Sequence, residues 1–450
     1  MEMILEFLRD VLSQPALLIG IMSCVGLIAL KRPFHKIMTG TLKPILGYLM
    51  LAAGAGVIVS NLDPLGKMIE HGFHITGVVP NNEAIVAVAQ KVLGVETMSI
   101  LVVGLLMNLL IARFTKFKYV FLTGHHSLFM ACLMSAVLGT AGLSGIELIL
   151  VGGFLMGAWS AISPAIGQSY TSKVTDGDEI ALGHFGSLGY YLSAWVAKYV
   201  GKAEESTEDI EIPEKWGFLR DSTLSTALTM IVFYLIAAIA AGSEFVSTLS
   251  GSMSPYLFAV MSAMNFAVGV AIVYSGVRMI LGDLIPAFQG IATKIIPNAI
   301  PAVDCAVFFT YAPTAVVLGF ISSFIGGIIG MLILGAVGGV LIIPGLVPHF
   351  FCGATAGIYG NATGGRRGAA VGAFLNGLAI TFLPALALPV LGQLGFQNTT
   401  FGDADFAVMG LVLGNAFEWI GMAGIYGVVV IAALVLIIPN FIKTKGKVIN

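Results

Sequence analysis

Long apolar runs separated by short polar breaks dominate the chain. The first extends from Val11 to Leu30 and stops at Lys31, Arg32 and Lys36. Others follow over 44–60, 98–112, 120–138 and 146–164. A polar interruption from Ala165 to Asp221 holds one semi-apolar stretch, 181–200, that reads as re-entrant or interfacial. Apolar runs then resume over 225–241, 255–277, 302–324, 325–343, 368–390 and 421–440. Runs of this length match a bilayer's thickness, so the pattern predicts an all-α polytopic membrane protein with about eleven transmembrane helices. Basic residues gather at 31–43, at 113–118 and in the tail Lys443-Thr444-Lys445-Gly446-Lys447. The positive-inside rule then puts the N-terminus outside, and the 165–221 loop and the C-terminus in the cytoplasm. Glu2, Glu6 and Asp10 stand where a secretory signal would carry basic residues, so the first run reads as a spanning helix.

Four Gly- and Pro-broken pieces, near 80–94, 284–300, 345–365 and 401–415, read as half-helices, re-entrant hairpins or loops. They pair up. Asp63-Pro64 leads to Pro80-Asn81-Asn82-Glu83, and Asp283 with Pro286 leads to Pro301-Ala302-Val303-Asp304. Thr123-Gly124-His125-His126 has a counterpart in Val347-Pro348-His349. Interrupted apolar segments at matching places mark the binding site of a secondary transporter, and an odd number of spans between them inverts one half. The expected division is a first repeat over 1–222, a second inverted repeat over 223–420, and a final helix with its tail over 421–450.

Composition narrows the function. Hydrophobic residues are 57% of the chain, charged residues 10%, and mean hydropathy is +0.96, too few charges to clothe a water-facing surface. Membrane lipid is the expected surroundings, and soluble enzymes are excluded. A formal net charge of -2 gives no footprint for nucleic acid. Cys24, Cys132, Cys305 and Cys352 lie in apolar surroundings without zinc or disulfide spacing, and read as core thiols. No His-Glu-x-x-His, serine nucleophile elbow or P-loop is present, so no catalytic residue, metal or cofactor is expected. Gly364-Gly365-Arg366-Arg367 reads as a topogenic boundary or an anchor at the cytoplasmic rim.

The candidate binding residues are polar groups in apolar settings. Asp304 lies in Val303-Asp304-Cys305-Ala306, where a carboxylate needs a cavity with partners or serves as a helix cap. Asn82 and Glu83 read as the mouth of a re-entrant helix or as an extracellular turn. His125 and His126 offer donors and acceptors suited to a sugar, or tie a helix end to a loop carbonyl. His184, next to Phe185, fits a polyol pocket or a cytoplasmic loop. The competing class is an intramembrane enzyme acting on a lipid, for which Asp176 and His184 are the one close pair in sequence.

Several stretches carry a family resemblance: Leu122-Thr123-Gly124-His125, Val174-Thr175-Asp176-Gly177, Val303-Asp304-Cys305-Ala306, Tyr311-Ala312-Pro313 and Leu341-Ile342-Ile343-Pro344-Gly345. With them the chain resembles, over nearly its whole length, the membrane (IIC) component of the bacterial phosphotransferase system for L-ascorbate. The resemblance implies a homodimer in the bacterial inner membrane. Each protomer would have two inverted repeats, a core domain holding the sugar and a V-shaped dimerisation domain. It further implies elevator-type transport, with phosphate supplied by separate IIA and IIB proteins. Carried over by motif, His125 and Asp304 match substrate contacts. Asn82 and Glu83 replace a Thr-Tyr pair, Phe129 and Met130 replace glutamines, and Gly183-His184-Phe185 replaces Gly-His-Gln. Ascorbate, a pentose, a hexose or a polyol are the expected ligands, with His126 and His349 as further contacts. An ion-coupled carrier of the same fold, working without phosphorylation, is the alternative.

Overall fold

The computed structural model describes Val11 and residues 14–74, 77–80, 82–210, 222–392 and 399–441. Helices dominate. They are α1 (Pro15–Ala29), α2 (Phe34–Phe73), α3 (Asn82–Phe114), α4 (Gly124–Thr140), α5 (Gly145–Thr175), α6 (Ser187–Val200) and α7 (Ser222–Ala241). The second half adds α8 (Ser243–Ser250), α9 (Pro255–Lys294), α10 (Pro313–Ala336), α11 (Leu346–Gly392), α12 (Ala404–Ile420) and α13 (Met422–Phe441). Five short strands intervene: β1 (Val79–Pro80), β2 (Tyr119–Phe121), β3 (Ala181–Leu182), β4 (Ile300–Val303) and β5 (Thr399–Thr400). Among the described residues seven helices are long and apolar enough to cross a membrane, or eight if the bent pair α7 and α8 is one broken span. Leu224, Leu228, Val232, Ile236 and Ile239 leave an exposed apolar stripe along α7, a face only lipid or another apolar surface can cover. The chain is a multi-pass membrane protein.

The elements differ from the hydropathy pattern at identifiable places. The runs expected over 302–324 and 325–343 are one helix, α10, with Pro313 at its start where a missing N–H costs nothing. Before it, the end of β4 and a 3-10 helix over Cys305–Thr310 occupy residues that read as membrane helix. The run over 120–138 begins as β2, and only the 17 residues of α4 are helical. In the polar interruption α5 continues to Thr175, and the semi-apolar stretch forms β3 and α6.

Packing separates two groups of helices. α1, α2, α7, α8 and α9 pack chiefly on one another, while α3–α6 and α10–α13 form the other group, and the two meet sparingly. The first group is organised by α2 and α9, each 40 residues long with a proline in its last third, Pro64 and Pro286. Gly47 abuts Gly276 and Gly54 abuts Gly269, so the two helices run antiparallel. A Cβ on Gly54 would lie 2.7 Å from the Gly269 carbonyl oxygen, and one on Gly276 2.6 Å from that of Gly47. Only glycine permits this approach.

The strands form two parallel clusters, each crossing between the halves. β4 is the middle strand between β2 and β3, with Phe121 and Ala181 both opposite Ala302. Conversely, β1 pairs with β5, and Val78 beside it bridges to Ile342. In each cluster the middle segment comes from one half of the chain and its neighbours from the other.

A loop after α6 fastens the second group. Glu205 accepts from Arg366 N at 2.8 Å through its main-chain oxygen, and Asn361 Oδ1 accepts from Thr207 N at 2.8 Å. They meet at a break in α11, where Gly365 has φ +59°. Glu208 then reaches the start of α10 and accepts from Thr314 N at 3.0 Å and Ala315 N at 3.1 Å. The acidic segment is thus a helix cap in part, beyond a solvated charge run.

Candidate functional site

The register of β2, β3 and β4 builds the site. Because the three strands are parallel and aligned, the residues just past their ends emerge together: Thr123–His126, Gly183–Phe185 and Asp304. Asp304 caps the 3-10 helix, its Oδ1 accepting from Ala306 N at 3.0 Å. Its other oxygen lies 3.4 Å from His125 Nε2, and Tyr48 Oη is 3.1 Å from His125 Nδ1. The cap and the partner of His125 are therefore the same residue. The His125 side chain is 38% exposed while that of Asp304 is 8% exposed, so the imidazole is the open side of the pair.

His126 and His184 lie behind it, buried, with ring centroids 3.8 Å apart. His126 Nδ1 accepts from Phe185 N at 3.3 Å, and His184 Nδ1 accepts from Gly186 N at 3.1 Å. A main-chain N–H can only donate, so in both neutral rings the proton sits on Nε2, which becomes a donor. Phe129, Phe185 and Phe406 wall this region, Phe406 stacking on His126 at 5.6 Å.

The second strand cluster feeds in from the other side. β1 leads to Asn82 and β5 to Asp403. Asn82 Nδ2 donates to Asp403 Oδ2 at 2.6 Å and its Oδ1 accepts from Gly402 N at 2.9 Å. Asp403 Oδ1 accepts from Cys352 Sγ at 2.9 Å and lies 3.8 Å from His184 Nδ1. Asp405 is saturated by Ser187 Oγ at 2.7 Å, Leu188 N at 2.9 Å and Trp159 Nε1 at 3.1 Å, and fixes the start of α6.

The structure therefore brings together Asn82, His125, His126, Phe129, His184, Phe185 and Asp304. His349 stands apart from these contacts: it bonds Ser323 Oγ at 2.9 Å and its ring edges onto Phe324. Glu83 begins the first turn of α3, but its side chain lies outside the described residues, as does Asn81. Asp176 ends α5 in the left-handed conformation, and the carboxylates near His184 are Asp403 and Asp304 instead. Asp403, Cys352, Tyr48 and Tyr190, whose hydroxyl lies 2.9 Å from His184 Nδ1, were not singled out from the sequence. Gly402-Asp403-Ala404-Asp405 does carry a signal, two acids inside an apolar segment. Tyr48 carries none.

Ligand atoms of His126, His184 and Asp403 lie within 4.8 Å of one another, close enough for a cation. The donor set argues against one. Both Nδ1 atoms are already engaged, and two Nε2–H donors suit the oxygens of a polar solute better than a metal.

The family model described as the sugar-specific permease component of the phosphotransferase system, EIIC-GAT, matches residues 10–405. The chain belongs to this family. A curated relative of the permease is the ascorbate-specific phosphotransferase EIIC component of Mycoplasma pneumoniae, 26% identical over 417 residues. That match covers 79% of this permease chain, which spans 62% of the relative's length.

Proposed function

We propose that this permease binds L-ascorbate or a related sugar or polyol between its two helix groups. It passes the solute inward for phosphorylation by a IIB protein that a IIA protein has charged. The observation that carries the reading is the convergence of His125, His184 and Asp304 at aligned strand ends, within a chain of the sugar-permease family. The Nε2–H groups of His126 and His184 donate to ligand oxygens, Asp304 accepts from hydroxyls, and the exposed His125 ring, its Nε2 facing Asp304, borders the solute. The relative's ascorbate specificity favours that ligand among the candidates.

The sparing contact between the two helix groups supports an elevator motion, in which the group holding Asp304 and His125 slides against the group built on α2 and α9. The latter would form the dimer contact. The antiparallel pairing of α2 with α9 and the crossed strand clusters support two inverted repeats, over 1–222 and 223–420. The protein then lies in the bacterial inner membrane with its N-terminus outside and its C-terminus in the cytoplasm.

Binding of radiolabelled L-ascorbate, galactitol and xylitol to the purified protein tests the ligand. Uptake into proteoliposomes loaded with phosphoenolpyruvate and the soluble components tests the coupling. Saturable binding and accumulation of phosphorylated solute are expected. Accumulation of free solute, driven by a proton gradient alone, would establish ion-coupled transport instead.

A further inference from the structure

Thr123 precedes the first residue of α4, the position where a threonine hydroxyl ordinarily accepts a main-chain N–H. Here it makes no such cap. Its Oγ1 is buried and has no hydrogen-bond partner, although the residue is 1% exposed. Leaving a buried hydroxyl unpaired costs free energy, and such groups call for a ligand or a bound water. Asp304, at the equivalent place on the neighbouring strand end, does cap its helix. The contrast marks Thr123 as the residue kept free.

A small cavity lies beside it. Ile19, Tyr48, Leu51 and Ile280 wall it from the group built on α2 and α9. Thr123, Asp304, Val303 and Val307 wall it from the other group. The polar side chains in this lining are Thr123, Tyr48 and Asp304; the remainder is aliphatic. Tyr48 is also the hydroxyl in contact with His125, so one side chain of the first helix group touches both cavity and site.

Resting on the sugar-binding reading above, we propose that this cavity, which has room for about one hydroxyl group, is a subsite for a single hydroxyl of the solute. The Thr123 hydroxyl hydrogen-bonds that hydroxyl, and Tyr48, across the cavity on the opposite helix group, holds His125 in place beside it. Thr123 is then a specificity-determining residue. Tyr48 is a positioning residue: the Asp304 carboxylate can only accept, so it calls for the proton on His125 Nε2, and the Tyr48 hydroxyl then donates to Nδ1 and holds the ring.

The test is equilibrium binding of L-ascorbate, galactitol and xylitol to wild type, Thr123→Val, Thr123→Ser and Tyr48→Phe, each also followed through thermal unfolding. Thr123→Val should weaken binding about two- to tenfold, the worth of one neutral hydrogen bond, while leaving the apparent Tm equal or higher. Thr123→Ser should restore the affinity. The loss should vanish for one deoxy analogue of the bound solute, the one lacking the hydroxyl that enters the cavity. Tyr48→Phe should weaken binding without that dependence on the analogue. Unchanged affinity in Thr123→Val, a loss that persists across all deoxy analogues, or a lowered Tm each overturns the subsite. Failure of wild type to bind any of the three solutes overturns the sugar-binding reading itself, and is distinguishable because no variant is then needed to see it.

Discussion

Asp304 does two jobs with two oxygens. One holds the 3-10 helix through Ala306 N, and the other faces His125. Asparagine caps helices about as well as aspartate, so Asp304→Asn separates the jobs. We expect Asp304→Asn to keep the thermal stability of wild type but to bind solute roughly ten- to a hundredfold more weakly, since a charge-assisted hydrogen bond is worth about 1.5–3 kcal/mol. Asp304→Ala should lose both stability and binding. Wild-type affinity in Asp304→Ala would remove the residue from the ligand site. Asp304 was legible from the sequence because a carboxylate among Val303, Cys305 and Ala306 is expensive without a purpose. Asp403 broke the same rule within 401–415, but that piece read as a half-helix, a hairpin or a loop. Tyr48 was invisible, since a tyrosine in an apolar helix carries no mark of the neighbour its hydroxyl will meet.

At the scale of elements, the long helices were legible and the short ones were not. Hydropathy registers apolar length and cannot distinguish a three-residue strand between helices from a continued helix, so β2 and β4 were absorbed into apparent spans. The boundary expected at 324–325 has no structural counterpart because no proline or left-handed residue interrupts α10 there. Glu208 shows what a polar break can do. It accepts from two main-chain N–H groups at the start of α10, where a negative charge also meets the favourable end of the helix dipole. Glu208→Ala should therefore cost about 1 kcal/mol and lower the apparent Tm in detergent. Glu208→Gln, which keeps an acceptor, should cost less. Equal Tm values for all three proteins would mean that the cap contributes nothing.

For the whole molecule, the decisive feature is the thin contact between the two helix groups. Ile280 and Val307 line opposite walls of the cavity between them. In a background with Cys24 replaced and the three buried native cysteines kept, a cysteine pair at these positions, bridged across the cavity by a reducible bifunctional reagent, should abolish uptake, and reduction should restore it. Uptake that continues with the link fully formed would mean that the groups need not slide. Pro64 and Pro286, matched in the sequence, fall in the last third of two antiparallel 40-residue helices, but the crossing of the strands was not readable, because main-chain pairing leaves no periodicity in segments this short. That crossing has a consequence for how the protein is made. β2 and β3 leave the ribosome long before β4, yet β4 is the strand that pairs with both. Until residues 300–303 arrive, the main-chain groups of two stretches lack the partners they take in the finished fold. The first half is a mould that stays unset until the second is poured into it, and the second waits in turn on Val78–Pro80 for the joining of its own edges. Neither half is a finished object, so the binding site comes into being only once Asp403 has followed β5 into place.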